Sequence, residues 1–580
     1  MKRSGLPLLS AAIAAVAITA AACGTGSGSA TQQAPLQKAN DVVTALPTQT
    51  AINDYAPVAN SAAYTPWNSA VEYMLYAPVV MVSGTDTVDW ADSLAKSITT
   101  NANDSVFTVT LKPWKWSNGK PITAEDVAWT SNVLLASCTM SNPPYVYGGC
   151  GFGSLPPSSG TPHLVSAKAE GTDKVVYTLS KAANPAWFEL NGLGQIQPMP
   201  KAIWDRGSYT ADLKLLSQVF NKPTASEYKA VSGPYKFKSM IMNESYTFVP
   251  NPAYGGHKAT ATWIEQYEAS DASEFADLKK GVINAGYVGP SMFGSLGDLK
   301  GSYNKTLSEG FCWYGMRLNS ASDSLDVGAA FQDQKVRQAL EMGINQPQVG
   351  KVLYGPGLYV ENYSAIPAGF PKLTKAVFGV TSIPNPYPYD PAAGKRLLES
   401  DGWNENAQGV MQKGNEKLQF EAFYGSGSTE TANALIILQE DWAKEGIKIT
   451  PVPVAIDTLA AMADATGSSS KWAFQFNSGW CYEPDFYPTG SGMWGWYALQ
   501  DDYNYKPFTQ AIANEYLPGT PAQVKQHMYQ YAVATAKDLP MLWLPSGYTV
   551  NEVAPYVHGM SRYFDAVQDF TLMNWVTVAH

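Results

Sequence analysis

A chain of 580 residues is too long for one hydrophobic core and divides into roughly three or four domain-sized units. A net charge of −10 and the lack of any basic stripe exclude nucleic acid as a partner, because phosphate binding needs concentrated Lys and Arg. Charged residues are sparse at 15%, whereas aromatics reach 12%, with 17 Trp and 33 Tyr, and that excess has to be used somewhere.

Lys2 and Arg3 form a positive start, and a short apolar run follows up to Ala22. The run is shorter than the roughly 20 residues a membrane span needs and is expected to be an export signal over residues 1–22. Ala20-Ala21-Ala22-Cys23 resembles a bacterial lipobox, with Ala20 where Leu is usual. That resemblance implies cleavage before Cys23 and lipidation of its thiol. The Gly-, Ser- and Gln-rich stretch that comes next, within 23–45, is expected to be a flexible tether to the membrane. In an oxidising compartment the four remaining cysteines suggest two disulfides, with three possible pairings. Cys138 and Cys150 bracket one short loop and form the economical local pair, leaving Cys312 with Cys481. No C-x-x-C spacing and no His cluster marks a metal site, and no motif calls for a cofactor.

Phe107, Val109 and Leu111 alternate with polar neighbours, which predicts a strand. Ser117-Asn118-Gly119 then turns the chain, and Thr123 caps a helix whose first turn carries Glu125 and Asp126. Residues 174–180 predict a strand, and 232–252 a hairpin. From 331 the pattern becomes helical, with Val336, Leu340 and Ile344 on one face. Asp390 caps a further helix, with Pro391 at its first position and Gly402 as its stop; 429–454 reads as helix, Gly446 and strand. These elements predict an α/β protein of two lobes with a cleft between them.

Trp116-Ser117-Asn118-Gly119-Lys120-Pro121 through Ala124-Glu125-Asp126-Val127 closely resembles the signature of the large extracytoplasmic solute-binding proteins of ABC importers, the peptide/nickel-type family 5. Ser232-Gly233-Pro234-Tyr235, Asn251-Pro252-Ala253-Tyr254, Val336-Arg337-Gln338-Ala339-Leu340 and Asp390-Pro391-Ala392 through Leu397-Leu398 follow in that family's order. The resemblance implies a two-lobed periplasmic-binding-protein-like fold of type II, with an extra domain and a hinge. Its parts would be lobe I (46–85, 200–311 and 545–580), the extra domain (86–199) and lobe II (312–544). It further implies a monomeric receptor that hands its solute to a permease and separate ATPases, since this chain lacks G-x-x-x-x-G-K-[ST].

The stretch 477–497, NSGWCYEPDFYPTGSGMWGWY, is too polar for a core strand and too aromatic for a surface loop. Oligopeptide-binding members carry Trp-Cys and then an acid that meets the peptide's α-amine, which makes Glu483, after Trp480-Cys481-Tyr482, the expected anchor. A carboxylate in a dry cleft suits an ammonium. Asp485 is the second candidate; Asn477 stands where some members place an Arg for the ligand's carboxylate. Trp494, Trp496 and Tyr497, with Tyr145 and Tyr147 from the extra domain, are expected to line the cleft. Oligopeptides or dipeptides are the leading ligands and oligosaccharides the alternative. Neither G-x-S-x-G nor H-E-x-x-H occurs, and the five His are scattered. An enzyme, such as a secreted glycoside hydrolase, is therefore a remote alternative, as is a lipoprotein sensor.

Overall fold

The computed structural model describes residues 40–46, 52–58, 60, 66–83, 87–145, 147, 161–242, 244–309, 312–321, 327–367, 383–455, 458–459, 462, 472–482, 487, 494, 506–560 and 573–579. The expected signal, Cys23 and nearly all of the tether lie outside these residues. Residues 41–45, expected to end a flexible tether, instead form most of strand β1 (Asp41–Leu46), which is buried and paired with Thr262–Tyr267 in a sheet, so they belong to the fold. No helix among the described residues is long and apolar enough to cross a membrane.

After β1 and helix α1 (Pro66–Leu75), the chain builds a four-stranded antiparallel sheet from β2 (Ala95–Thr100), β3 (Val106–Leu111), β4 (Leu164–Glu170) and β5 (Lys174–Leu179), in the order β2-β3-β5-β4. Phe107, Val109 and Leu111 point into the core, as their alternation predicts. Helix α2 (Ala124–Thr139) packs on this sheet. Thr123 accepts from Asp126 N and the Asp126 carboxylate accepts from Thr123 N, a reciprocal cap that satisfies two helix-end donors. Asp126 Oδ1 also accepts from Lys201 N at 2.9 Å, fixing the helix start to the next segment.

Strands β6 (Tyr235–Ile241), β7 (Ser245–Pro250) and β8 (Thr262–Tyr267) join β1 in the order β1-β8-β7-β6. One apolar core runs beneath both sheets, so the expected extra domain and first lobe share their packing. Strands β9 (Ala285–Tyr287) and β10 (Asn304–Glu309) flank a late strand, Ser546–Val553, in a third sheet.

A separate core belongs to residues 316–544. Its sheet contains β11 (Cys312–Leu318), β12 (Gln419–Gly425), β13 (Lys448–Val454), β14 (Phe474–Cys481) and β15 (Leu542–Leu544), in the order β13-β12-β14-β11-β15. Helices α3 (Gln334–Met342), α4 (Gln346–Tyr354), α5 (Pro391–Ser400) and α6 (Thr429–Ala443) accompany it. Asp390 caps α5 as expected, and Gly402 and Gly446 both take positive φ just past the ends of α5 and α6. The sequence pattern runs one helical face through Ile344, but α3 stops at Met342. Gly343 ends it and Asn345 caps α4 two residues later, so Ile344 is buried at the junction instead.

The chain enters this sheet after β10 and leaves it at Pro545, ahead of β16 (Ser546–Val553). Glu309 of β10 lies opposite Tyr548 of β16, and Tyr314 of β11 lies opposite Leu544 of β15. The two crossings thus run side by side, and Ser546 Oγ donates to the Cys312 carbonyl at 3.4 Å. A paired double crossing between two cores is the hinge of this two-lobed fold.

Candidate functional site

Alternation along β11 divides its side chains between two environments. Met316 and Leu318 enter the core of the second lobe, whereas Trp313 packs on the other face with the first-lobe core. On β15, Leu542 and Leu544 face the second-lobe core and Trp543 the opposite side. Trp480 of β14 stands opposite Trp313 in register. A tryptophan-rich face therefore begins beside the hinge.

Trp313 meets Trp543 edge to face at 5.3 Å and lies nearly parallel to Trp494 at 5.9 Å. Trp494 Nε1 donates to the Tyr531 hydroxyl at 2.8 Å, and Tyr531 sits on helix α8 (Pro521–Asp538), which comes after α7 (Lys506–Glu515). Burial, then the charges of Tyr482 and Glu515, push the Tyr531 phenol well above its ordinary value, so it stays a neutral donor and acceptor. The Tyr482 hydroxyl donates to Ala365 O at 2.9 Å. The indole N–H groups of Trp313 and Trp543 are both buried and meet no acceptor among the described residues. Farther along the same face, the buried Arg317 guanidinium stacks 5.1 Å from the Trp472 ring.

Beneath this face, Glu341 of α3 accepts from Trp543 N at 3.0 Å. Burial pushes its carboxyl up to about 8, an effect only partly offset by that hydrogen bond.

Tyr482 and Trp494 lie together at this site, and Trp480 is half-buried at its edge. Tyr145 and Tyr147 are buried within the first-lobe core. The Tyr145 hydroxyl donates to Val58 O at 2.5 Å and that of Tyr147 to Gln195 O at 2.9 Å. Both hydroxyls are thus engaged in protein contacts. Asn477 lies on β14, its side chain outside the described residues, as are Glu483, Asp485, Trp496 and Tyr497. Cys138 and Cys312 are each disulfide-bonded; Cys150 is outside the described residues, and Cys481 is the register partner of Cys312.

Sequence reasoning missed Trp313, Trp543 and Arg317. For Arg317 and Trp543 the signal was a cationic or aromatic side chain between aliphatic neighbours, Met316 and Leu318 or Leu542 and Leu544; Trp313, between Cys312 and Tyr314, carried no such mark. No group of three or more His, Cys, Asp or Glu suited to a metal ion occurs among the described residues.

The model of bacterial extracellular solute-binding proteins, family 5, matches residues 90–504. The chain belongs to this family. Among curated family-5 relatives, the oligopeptide-binding protein OppA of Lactococcus lactis subsp. cremoris is 28% identical over 398 residues, covering 63% of this chain and 62% of that protein. The chain thus aligns with under two thirds of that relative's length. The structure of AppA from Bacillus subtilis, an oligopeptide-binding protein in complex with a nonapeptide, superposes with a TM-score of 0.72 at 18% identity, covering 93% of this chain and 99% of AppA. NikA from Brucella suis, bound to Fe(III)-EDTA, gives 0.71 at 18% identity, covering 93% of this chain and all of NikA. The two-lobed architecture is common to both, and one family-5 fold thus holds a peptide in one case and a metal chelate in the other.

Proposed function

We propose that this chain is the substrate-binding lipoprotein of an ABC importer, capturing oligopeptides or dipeptides outside the membrane and delivering them to a permease and its ATPases. It binds and does not turn over its ligand, acts as a monomer, and is held to the membrane through lipidated Cys23. The proposed parts are lobe I (46–85, 200–311 and 545–580, extended to Asp41 by β1), the extra domain (86–199) and lobe II (312–544), with the ligand between the lobes.

The observation that carries the reading is the pair of buried indole N–H groups, Trp313 and Trp543, without acceptors among the described residues beside the hinge. A buried donor left unmade costs about 1–3 kcal/mol, and a peptide's carbonyl groups are acceptors of the required kind. Glu483 is the proposed partner of the peptide's α-amine, with Asp485 next in order. Asn477, Trp480, Tyr482, Trp494, Trp496 and Tyr497 are the proposed walls, and Tyr145 and Tyr147 of the extra domain are proposed with them. A Cys312–Cys481 bridge would fix the start of this segment to the hinge, and Cys138–Cys150 would close the loop on the extra domain. The likeness to OppA supports peptide over sugar.

Native mass spectrometry of freshly purified protein tests the reading. Bound species with peptide masses at about one per chain are expected. Glu483→Gln should weaken their retention by about 1.5–3 kcal/mol, the value of a hydrogen bond to a charged group. Oligosaccharide masses, or hydrolysis of added peptide, would overturn it.

A further inference from the structure

Between β14 and β15 of the second-lobe sheet the chain makes an excursion whose described residues include Tyr487, Trp494 and the helices α7 and α8. Within it, Tyr487 and the end of α7 touch a different part of the molecule: the run of short helical turns that Asn184 caps and that continues to Gln195, after β5 of the extra-domain sheet. Asn191 grips the backbone of Tyr487 at both polar atoms. Its Oδ1 accepts from Tyr487 N at 2.5 Å, and its Nδ2 donates to Tyr487 O at 2.8 Å. One side-chain amide here does what a paired strand would do.

Asn184 holds the same region from the other side. Its Nδ2 donates to the Tyr487 hydroxyl at 2.9 Å and to Glu515 O at 3.3 Å. Its backbone N donates to Tyr516 O at 2.7 Å, and its Oδ1 is occupied by Ala186 N. Trp187 then packs edge to face on Tyr516 at 5.0 Å. Asn184, Asn191, Trp187, Tyr487 and Tyr516 are all buried. These contacts join positions about 300 residues apart in the chain and bridge the second lobe's excursion to the extra-domain side of the hinge.

We propose that Asn184 and Asn191 are positioning residues for capture: they form a seat on the extra domain into which Tyr487 docks when the lobes close. Closure is then held partly by a protein–protein seam and not by ligand contacts alone. A seam of this kind raises the population of the closed state before any cargo arrives, and a competent state that is populated beforehand binds with higher apparent affinity. It also gives the extra domain a role in capture. By fixing Tyr487 at backbone and hydroxyl together, it anchors the chain at a point seven residues before Trp494, the residue stacked on Trp313. The seam is made of amides and a phenol, so it does not depend on the chemistry of the cargo.

Small-angle X-ray scattering of cargo-stripped protein tests the seam without any ligand. Asn191→Ala removes both backbone clamps, and Tyr487→Phe keeps the ring and removes the hydroxyl contact to Asn184. Both variants should retain the wild-type circular dichroism spectrum while the radius of gyration rises, with Asn191→Ala moving further. Unchanged scattering in both variants would overturn the proposal. A double-mutant comparison of Asn184→Ala with Tyr487→Phe keeps it falsifiable if one variant folds poorly. Their effects on the open population should be less than additive because they share one contact, and strict additivity would count against the pairing. Failure of the peptide-receptor reading would appear in cargo mass and leave these scattering results untouched.

Discussion

Trp313 and Trp543 stand edge to face at 5.3 Å on adjacent strands, and neither buried indole N–H meets an acceptor among the described residues. Replacing Trp543 by Phe keeps a ring and removes the orphaned donor. Loss of buried area and relief of an unmade hydrogen bond, each about 1–3 kcal/mol, oppose each other. Stability in urea should therefore shift by less than about 1.5 kcal/mol. Cargo retention, read by native mass spectrometry, should fall about tenfold, since one hydrogen bond of about 1.4 kcal/mol is lost only in the complex. A destabilisation of about 3–5 kcal/mol with cargo retained would make the indole an ordinary core group.

Glu341, bonded to the backbone N of that same Trp543, makes stability depend on pH. Its carboxyl is raised by burial to about 8 in the fold, against an ordinary value of 4.5. The folded state therefore holds a proton that the unfolded chain releases. The contribution is fully present below about 4.5 and is lost as pH rises through about 8. Glu265, at about 7, and Glu445, at about 10, are raised by burial in the same direction. Thermal unfolding of the wild type should thus move to lower temperature between about pH 5 and about pH 9. Glu341→Gln retains an acceptor for Trp543 N and should lose less over that range. Parallel curves for variant and wild type would exclude Glu341 as a source of the dependence.

The family motifs were legible because each solves a local packing or hydrogen-bonding problem. Arg337 shows why. Its guanidinium donates to the carbonyls of Phe331, Gln332 and Asp538, so it ties the start of its helix to the end of α8. Tyr254 reaches Asp92 Oδ1 at 2.9 Å, and Tyr235 reaches Met573 O at 3.1 Å. These residues define the fold and say little about the cargo. The seat for Tyr487 was not legible, because Asn184 and Asn191 resemble ordinary turn residues until the fold brings them to a partner about 300 positions away. The aromatic run was visible as a cluster, yet nothing in its spacing distinguished Trp494, stacked on Trp313, from Tyr487, which docks elsewhere.

Cys312 is disulfide-bonded, and the residue facing it across the sheet is Cys481. If these two are partners, Cys312→Ala should leave Cys481 open to alkylation in the unfolded, unreduced protein, as peptide mapping would detect. A crosslink closing so long a loop should also be worth about 2–5 kcal/mol, read as a lower unfolding midpoint in the variant. Alkylation at Cys138 or Cys150 instead of Cys481 would reassign the pairing.

Gly233 explains one motif residue by close approach. Ser232 Oγ accepts from Ala77 N at 3.0 Å and Gly233 N donates to Leu75 O at 2.8 Å, bringing this segment against the end of α1. A Cβ at Gly233 would lie 2.4 Å from Met74 O and 2.5 Å from Leu75 C, both backbone atoms that no rotamer change can move. Gly233→Ala should therefore destabilise by about 1–3 kcal/mol, in the range of an overpacked core. Gly294→Ala is the matched control, because nothing lies within 4 Å of its added Cβ and its φ is not positive. Its stability should stay within about 0.5 kcal/mol of wild type. Equal behaviour of the two variants would mean that α1 can shift to admit a methyl group, and that the glycine is not required by this contact.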